Sequence, residues 1–286
     1  MTLMELLLPA FVASLILTGI HAYLGVHVVE RGVIFVDLSL AQIAALGTTV
    51  AYLMGHDLHS GTAYFYSLGF TFLGAAVFSF SRMHRKTRIP QEAVIGIVYA
   101  VSAAVAILVM SKATQETEHL KEMLVGNILS VTWPELLKTA VLYALVGVFH
   151  YLCRQRFLLI SLDEEEAERR GWNIRLWDFL FYVSFGFVVT SSVAIAGVLL
   201  VFCFLIVPSV TAMLFSERLG PRLAIGWTMG AVVSAAGVAA SFLLDLPTGA
   251  TIVATFGAAL LVVAGCWRAL RPAVAGREAA RPPRTV

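Results

Sequence analysis

The chain has 286 residues, 59% of them apolar and 13% charged, with a formal net charge of +2. A soluble domain carries about 25% charge and 45–50% apolar residues, so at a mean hydropathy of +0.86 a water-soluble fold is excluded. At about 20 residues per membrane-spanning helix, the length holds eight or nine spans with short loops and leaves no room for a separate soluble domain.

Charge-free runs mark the spans. The first, Leu6 to Val29, has no Lys or Arg ahead of it and exceeds the apolar stretch of a cleaved signal peptide, so it is expected to stay as the first span. Gly32 to Gly55 follows, broken only by Asp37, then Ser60 to Ser81, Ala93 to Ser111, and Leu136 to Cys153 with Lys138 at its edge. Ahead of that span, the uncharged stretch from Gly126-Asn127 to Trp133-Pro134 is too short to cross and should pack into the membrane interface. From Phe179 to Ser216 there are 38 residues without a charge. As one straight helix they would reach roughly 57 Å, about twice the hydrocarbon thickness. Basic residues flank both ends, Arg175 on one and Arg218 and Arg222 on the other, so both ends belong to one side. The run must fold back near Thr190 to Gly197, as two spans or as one span plus a re-entrant half. Pro208 removes a backbone donor and is expected to kink its helix. Leu223 to Leu244 and Leu246 to Trp267 complete the set.

Of the 20 basic residues, only Lys112, Lys121 and Lys138 fall outside one set of alternate loops. That set is cytoplasmic by the positive-inside rule, which puts the N-terminus outside, the C-terminus inside and the crossings at nine. Residues 1–270 thus read as a single transmembrane domain of an all-α polytopic membrane protein. The Arg- and Pro-rich tail, 271–286, is expected to be disordered and drawn to anionic headgroups.

Chemistry is sparse. Cys153, Cys203 and Cys266 lie too far apart to suggest a disulfide framework or a thiolate cluster. His-Glu-x-x-His, Gly-x-Ser-x-Gly and the phosphate-cradling glycine loop are all missing, so the chain reads as a non-enzyme that does not hydrolyse nucleotide by itself. The longest cytoplasmic loop, Arg154 to Arg175, holds Ser161-Leu162-Asp163-Glu164-Glu165-Glu166-Ala167-Glu168-Arg169-Arg170-Gly171. Ser161 with Glu164 reads as a capping box, the acids sit at the positive end of the helix dipole, and Gly171 supplies a stop. A short surface helix results, either a solvated connector or a docking helix for a cytosolic partner.

Asp37 stands out because an ionisable group in a span costs about 2.5–3.5 kcal/mol at the helix centre and usually faces a cavity or a partner. Its place near the cytoplasmic end leaves two readings, a pathway residue or local pairing with water, Arg31 or a neighbouring helix. Gln42 and Ser39 share a helix face and are pathway candidates, and His21 is either a hydrogen-bonded helix contact or a ligand. His27 and His150 read as interface residues near cytoplasmic ends. Outside, His56, Asp57 and His59 form one loop group, and Glu116, Glu118, His119 and Glu122 a second. Both could gather cations or touch a binding protein, or be plain polar loops.

The chain resembles the integral membrane permeases of ABC importers for zinc, manganese and iron, the ABC-3 permeases. The resemblance rests on Leu24 to Gly32, Leu40 to Gly47, Ala93 to Val98, Leu124 to Leu129, Asp163 to Gly171, and Gly197 to Val201 leading to Pro208 through Ala212, in that order along one chain. It implies a type II ABC importer permease in a bacterial cytoplasmic membrane, a homodimer with no cofactor and no nucleic-acid partner. Asp163, Glu164, Glu166, Ala167 and Gly171 would dock on a separate ATP-hydrolysing subunit, and an extracytoplasmic binding protein would deliver the metal. Many members carry Asp-x-x-x-His on the second span, and here those slots hold Leu38 and Gln42. Asp37 cannot substitute, because it points roughly 140° away from Gln42. The departure keeps two alternatives open: a permease for a chelated metal or another small solute, and a secondary transporter with Asp37 as ion carrier. A docking helix argues against the latter.

Overall fold

The computed structural model describes residues 3–57, 60–82, 90–111 and 128–279. Among them every regular element is helical: α1 (Leu3–Glu30), α2 (Val36–Leu53), α3 (Gly61–Ser81), α4 (Gln91–Met110), a 3₁₀ turn (Ile128–Ser130), α5 (Trp133–Leu152), α6 (Arg154–Leu162), α7 (Glu164–Arg169), α8 (Ile174–Phe215), α9 (Leu219–Leu244) and α10 (Thr248–Ala279). Eight of these described helices are long and apolar enough to cross a membrane, and each matches a charge-free run of the sequence. Apolar residues all round a helix leave no amphipathic stripe, as expected where the surroundings are lipid or other spans. The buried 3₁₀ residue Ile128 places the short stretch before α5 against the bundle.

The 42-residue α8 breaks at Gly197, whose φ of 74° and ψ of 164° are non-helical. Contacts along α1 show that the chain reverses there. Asp178 meets Arg31 at the end of α1, and Ser192 meets His21 at 3.2 Å. Past the break, the Ser209 hydroxyl donates to the Ala22 carbonyl at 3.2 Å, and the Ser216 carbonyl accepts from Arg222, which is paired with Glu30. The two halves, 174–196 and 198–215, therefore run up and down beside the same helix, and both ends return to one end of the bundle. The fold-back falls at the edge of the predicted window, at Gly197 and not at Pro208. Only glycine reaches this φ/ψ combination readily.

α8 is the hub. Its first half runs antiparallel to α3, bonded through Thr71–Thr190 at 3.2 Å and Ser79 to Arg175 at 2.6 Å. It also runs antiparallel to α5, through Tyr143–Ser192 at 2.5 Å and His150–Ser184 at 2.8 Å. Phe181, Tyr182, Phe185 and Phe204 are completely buried around it. Small residues let helices close in: α9 packs Gly226 and Gly230 on Ala22 and Thr18 of α1, and α2 packs Gly47 on α3 at Tyr66 and Ser67. Arg31, Arg82, Arg156, Arg170, Arg175 and Arg222 collect at one end of the bundle, the basic end. α10 continues through 271–279, the first part of the segment expected to be disordered. Residues 280–286 lie outside the described part.

Candidate functional site

Among the described residues, two of the places where polar groups are buried bear on function. The first is α2. Asp37 and Ser39 are buried, at 1% and 0% exposure, and Asp37 Oδ1 and Ser39 Oγ have no hydrogen-bond partner among the described residues. Arg31 does not pair with Asp37, as the sequence had allowed; its Nε and Nη1 are bonded to Ser161 and Asp178 instead. Ser39 does not share an open face with Gln42. The residues of α2 that the rest of the chain leaves uncovered or partly so are instead Leu38, Gln42, Leu46, Thr48, Val50, Tyr52 and Leu53, and Leu38, Gln42, Leu46 and Val50 recur at i, i+4, which on a helix is one narrow stripe. Leu38 and Gln42, the two slots of the missing Asp-x-x-x-His pair, stand on that stripe one turn apart. The stripe therefore offers one amide among apolar side chains and no charge.

His21 lies on α1 as a helix-to-helix contact. Its Nδ1 sits 2.7 Å from the Leu17 carbonyl, which can only accept, so Nδ1 carries the proton, and Nε2 lies 3.2 Å from the Ser192 hydroxyl. His27 and His150 are buried near the basic end, their rings 6.4 Å apart. His56 and Asp57 remain on the loop after α2. His59, Glu116, Glu118, His119 and Glu122 lie outside the described residues. Among the described residues no group of three or more His, Cys, Asp or Glu side chains could hold a metal ion.

The second place is the joint at the basic end, where α6 and α7 meet. The predicted capping box is not what starts α7. Asp163 is its N-cap, accepting from the Glu166 amide at 3.0 Å. Ser161 belongs to α6 and donates to the Phe157 carbonyl at 2.8 Å. With its one proton used there, the Ser161 oxygen accepts from Arg31 Nε and from His27 Nδ1, both at 2.8 Å, which leaves His27 Nε2 as an unprotonated, unpartnered nitrogen. α7 ends where expected: Gly171 takes φ of 70° and its amide closes on the Glu168 carbonyl. Ala167 is buried against the bundle, while Asp163, Glu165, Glu168 and Arg169 are exposed. α7 thus presents a charged outer face on a fixed inner one.

The residue that fixes it was not singled out in the sequence. Asp178, in the first turns of α8, is completely buried. Its Oδ1 accepts from Arg31 at 2.7 Å and its Oδ2 from Arg82, just past α3. Arg82 also reaches Glu164 of α7 at 3.1 Å, and the Arg31 guanidinium lies 4.0 Å over the Phe181 ring. Burial opposes the Arg82 charge, yet Asp178 and Glu164 outweigh it and hold the guanidinium pKa above its usual value. Two cations and two carboxylates close the set without excess charge, the condition for ions to be tolerated out of water.

Comparison with known proteins agrees with this architecture. The chain is 28% identical over 248 residues to the manganese transport system membrane protein MntC of Listeria innocua, covering 85% of this chain and 84% of that one. It is 28% identical over 267 residues to a probable iron transport system membrane protein of Haemophilus influenzae, covering 93% and 95%, and 27% identical to the chelated iron transport system membrane protein YfeC of Yersinia pestis, covering 70% of each. Its fold is similar to that of PsaBC from Streptococcus pneumoniae, with a TM-score of 0.74 at 21% identity over 90% of both chains. An inward-facing metal-chelate type ABC transporter superposes with a TM-score of 0.70 at 21% identity, over 90% of this chain and 85% of that one. The model of the ABC 3 transport family matches residues 3–267, nearly the full length, and the chain belongs to that family.

Proposed function

We propose that this protein is the membrane-spanning permease subunit of an ATP-driven importer for a divalent transition metal ion, manganese, iron or zinc, in a bacterial cytoplasmic membrane. Membership of the ABC 3 transport family over residues 3–267 carries the reading, and relatives named for manganese and iron transport supply the substrate class. Two copies enclose the pathway, with the uncovered α2 stripe and its Gln42 facing it. The basic end is cytoplasmic, where α7 docks on a separate ATPase subunit, and an extracytoplasmic binding protein delivers the ion to the opposite face. The chain itself performs no catalysis: it binds, orients and gates, and the free energy comes from its partner.

Leu38 and Gln42 favour a second reading in one respect, the form of the cargo. A neutral amide is a weak ligand for a bare transition metal, and an uncharged stripe suits a metal that travels with its own ligands. Uptake of radioactive manganese, iron and zinc, free and chelated, into cells lacking their own importers decides both points. Uptake is expected only when the ATPase subunit is co-expressed with the permease. Uptake that persists without any ATPase, or none of any form with all subunits present, would overturn the proposal.

A further inference from the structure

The joint at the basic end is a closed ring, and the ring has a direction. The connector between α6 and α7 bends at Asp163, whose φ of −146° and ψ of 82° are non-helical. On the two sides of that bend, Ser161 is held by Arg31 from α1 and Glu164 by Arg82 from the end of α3. The two guanidiniums then meet on the two oxygens of one carboxylate, Asp178 of α8. Four elements, α1, α3, the connector and α8, are thus tied through one side chain.

Resting on the transport reading above, we infer that Asp178 is the positioning residue through which movement of the docking helix α7 reaches the spans. Side-chain exposures of 2% for Arg31, 0% for Asp178 and 12% for Arg82 make the ring stiff. Separating either pair leaves a buried charge without its counter-ion, so the groups move together sooner than apart. Glu164, at 28%, is the ring's contact with the surface. A push on the exposed face of α7 acts on Glu164, then Arg82, then Asp178, and α8 carries it along α1, α3 and α5 as far as the Gly197 turn. Arg31 receives the same displacement from Asp178 and passes it to α1. Asp178 touches no cargo; its work is to keep hydrolysis and transport in step.

The test uses the permease–ATPase complex in liposomes, with ATP hydrolysis and accumulation of manganese(II), iron(II) or zinc(II) measured on the same samples. Glu164→Gln cuts only the α7 leg, at a partly exposed position where the fold is under little threat. Asp178→Asn removes the shared anchor, and Asp178→Glu returns the charge on a longer arm. Arg154→Gln, an exposed residue outside the ring that stacks on Tyr151, removes a charge from the same end as a control. Asp178→Asn is expected to keep hydrolysing ATP while ions moved per ATP fall at least about fivefold, the lower edge of a coupling effect, and Glu164→Gln, which also stands on the docking helix, is expected to show the same fall in ions per ATP. Asp178→Glu should recover part of the loss, and Arg154→Gln should match the wild type. Wild-type ions per ATP in Glu164→Gln would overturn the inference. So would an Asp178→Asn protein that loses hydrolysis and transport in equal proportion to folded permease, which marks a merely structural residue. A wild-type complex that moves no ion would overturn the transport reading instead, and this inference with it.

Discussion

Gly25 and Gly19 both lie on α1, about 120° apart round the helix, and give opposite expectations for the same substitution. A Cβ added at Gly25 would stand 2.1 Å from the Leu205 carbonyl oxygen and 2.2 Å from Ser209 Oγ, whereas at Gly19 it would meet nothing within 4 Å. Ordinary contact begins near 3.4 Å, and the opposing atom is backbone, so in Gly25→Ala α1 and the second half of α8 must part by more than about 1 Å. Overpacking of this kind costs about 1–3 kcal/mol. The 3.2 Å bond from Ser209 to Ala22, which spans the same crossing, is lost with it, at about 1 kcal/mol. The better helix propensity of alanine returns up to about 1 kcal/mol, so the net loss is about 2 kcal/mol. In Gly19→Ala only the gain remains. Unfolding of the purified permease in detergent, followed by tryptophan fluorescence against added SDS, compares the two: Gly25→Ala should unfold well before the wild type, and Gly19→Ala at or after it. Equal midpoints for the two variants would refute the close crossing on which the fold-back of α8 rests.

Gly197→Ala places a Cβ at φ 74°, ψ 164°, a combination costing about 1–3 kcal/mol for other residues; lower yield and earlier SDS unfolding are expected, and wild-type behaviour would mean the turn lies elsewhere. Gln42→Ala should slow metal uptake about two- to tenfold, the equivalent of one neutral hydrogen bond, while Gln42→His should shift selectivity toward zinc, since imidazole is the better ligand. Asp37→Asn should reach the membrane at the wild-type level because Arg31 is engaged elsewhere; quantitative immunoblotting of membranes checks it, and a collapse in level would reveal a charge partner for Asp37.

The spans were legible because the relevant signal is one-dimensional: a run without charge, long enough for the bilayer, needs no tertiary information. The reversal of α8 was legible for the same reason, since 38 uncharged residues between basic flanks fit no straight helix. The stripe of α2 was half legible. Helical spacing put Gln42 away from Asp37, but it also grouped Gln42 with Ser39, and only the packed bundle shows that Ser39 is covered and Leu38 partly open. The joint was the least legible. Ser161-x-x-Glu164 satisfies the capping-box pattern, yet Asp163 competes for the same role and wins because Arg31 and His27 claim the Ser161 oxygen from another helix. Asp178 escaped notice because it lies where a charge-free run meets a basic loop, a place where acids are ordinary. The signal was present in the Trp177-Asp178-Phe179 triplet, an acid between two aromatic residues at the mouth of a span, but its partners are 147 and 96 residues away, and no local pattern names them.

The most direct measurement is transport by purified components: the permease and its ATPase in liposomes, ATP on the ATPase side, and metal counted inside. The account predicts accumulation of manganese(II), iron(II) or zinc(II), free or chelated, that requires ATP hydrolysis and stops when the ATPase is omitted. Accumulation driven by a proton or sodium gradient with no ATPase present would contradict it and make the protein a secondary transporter.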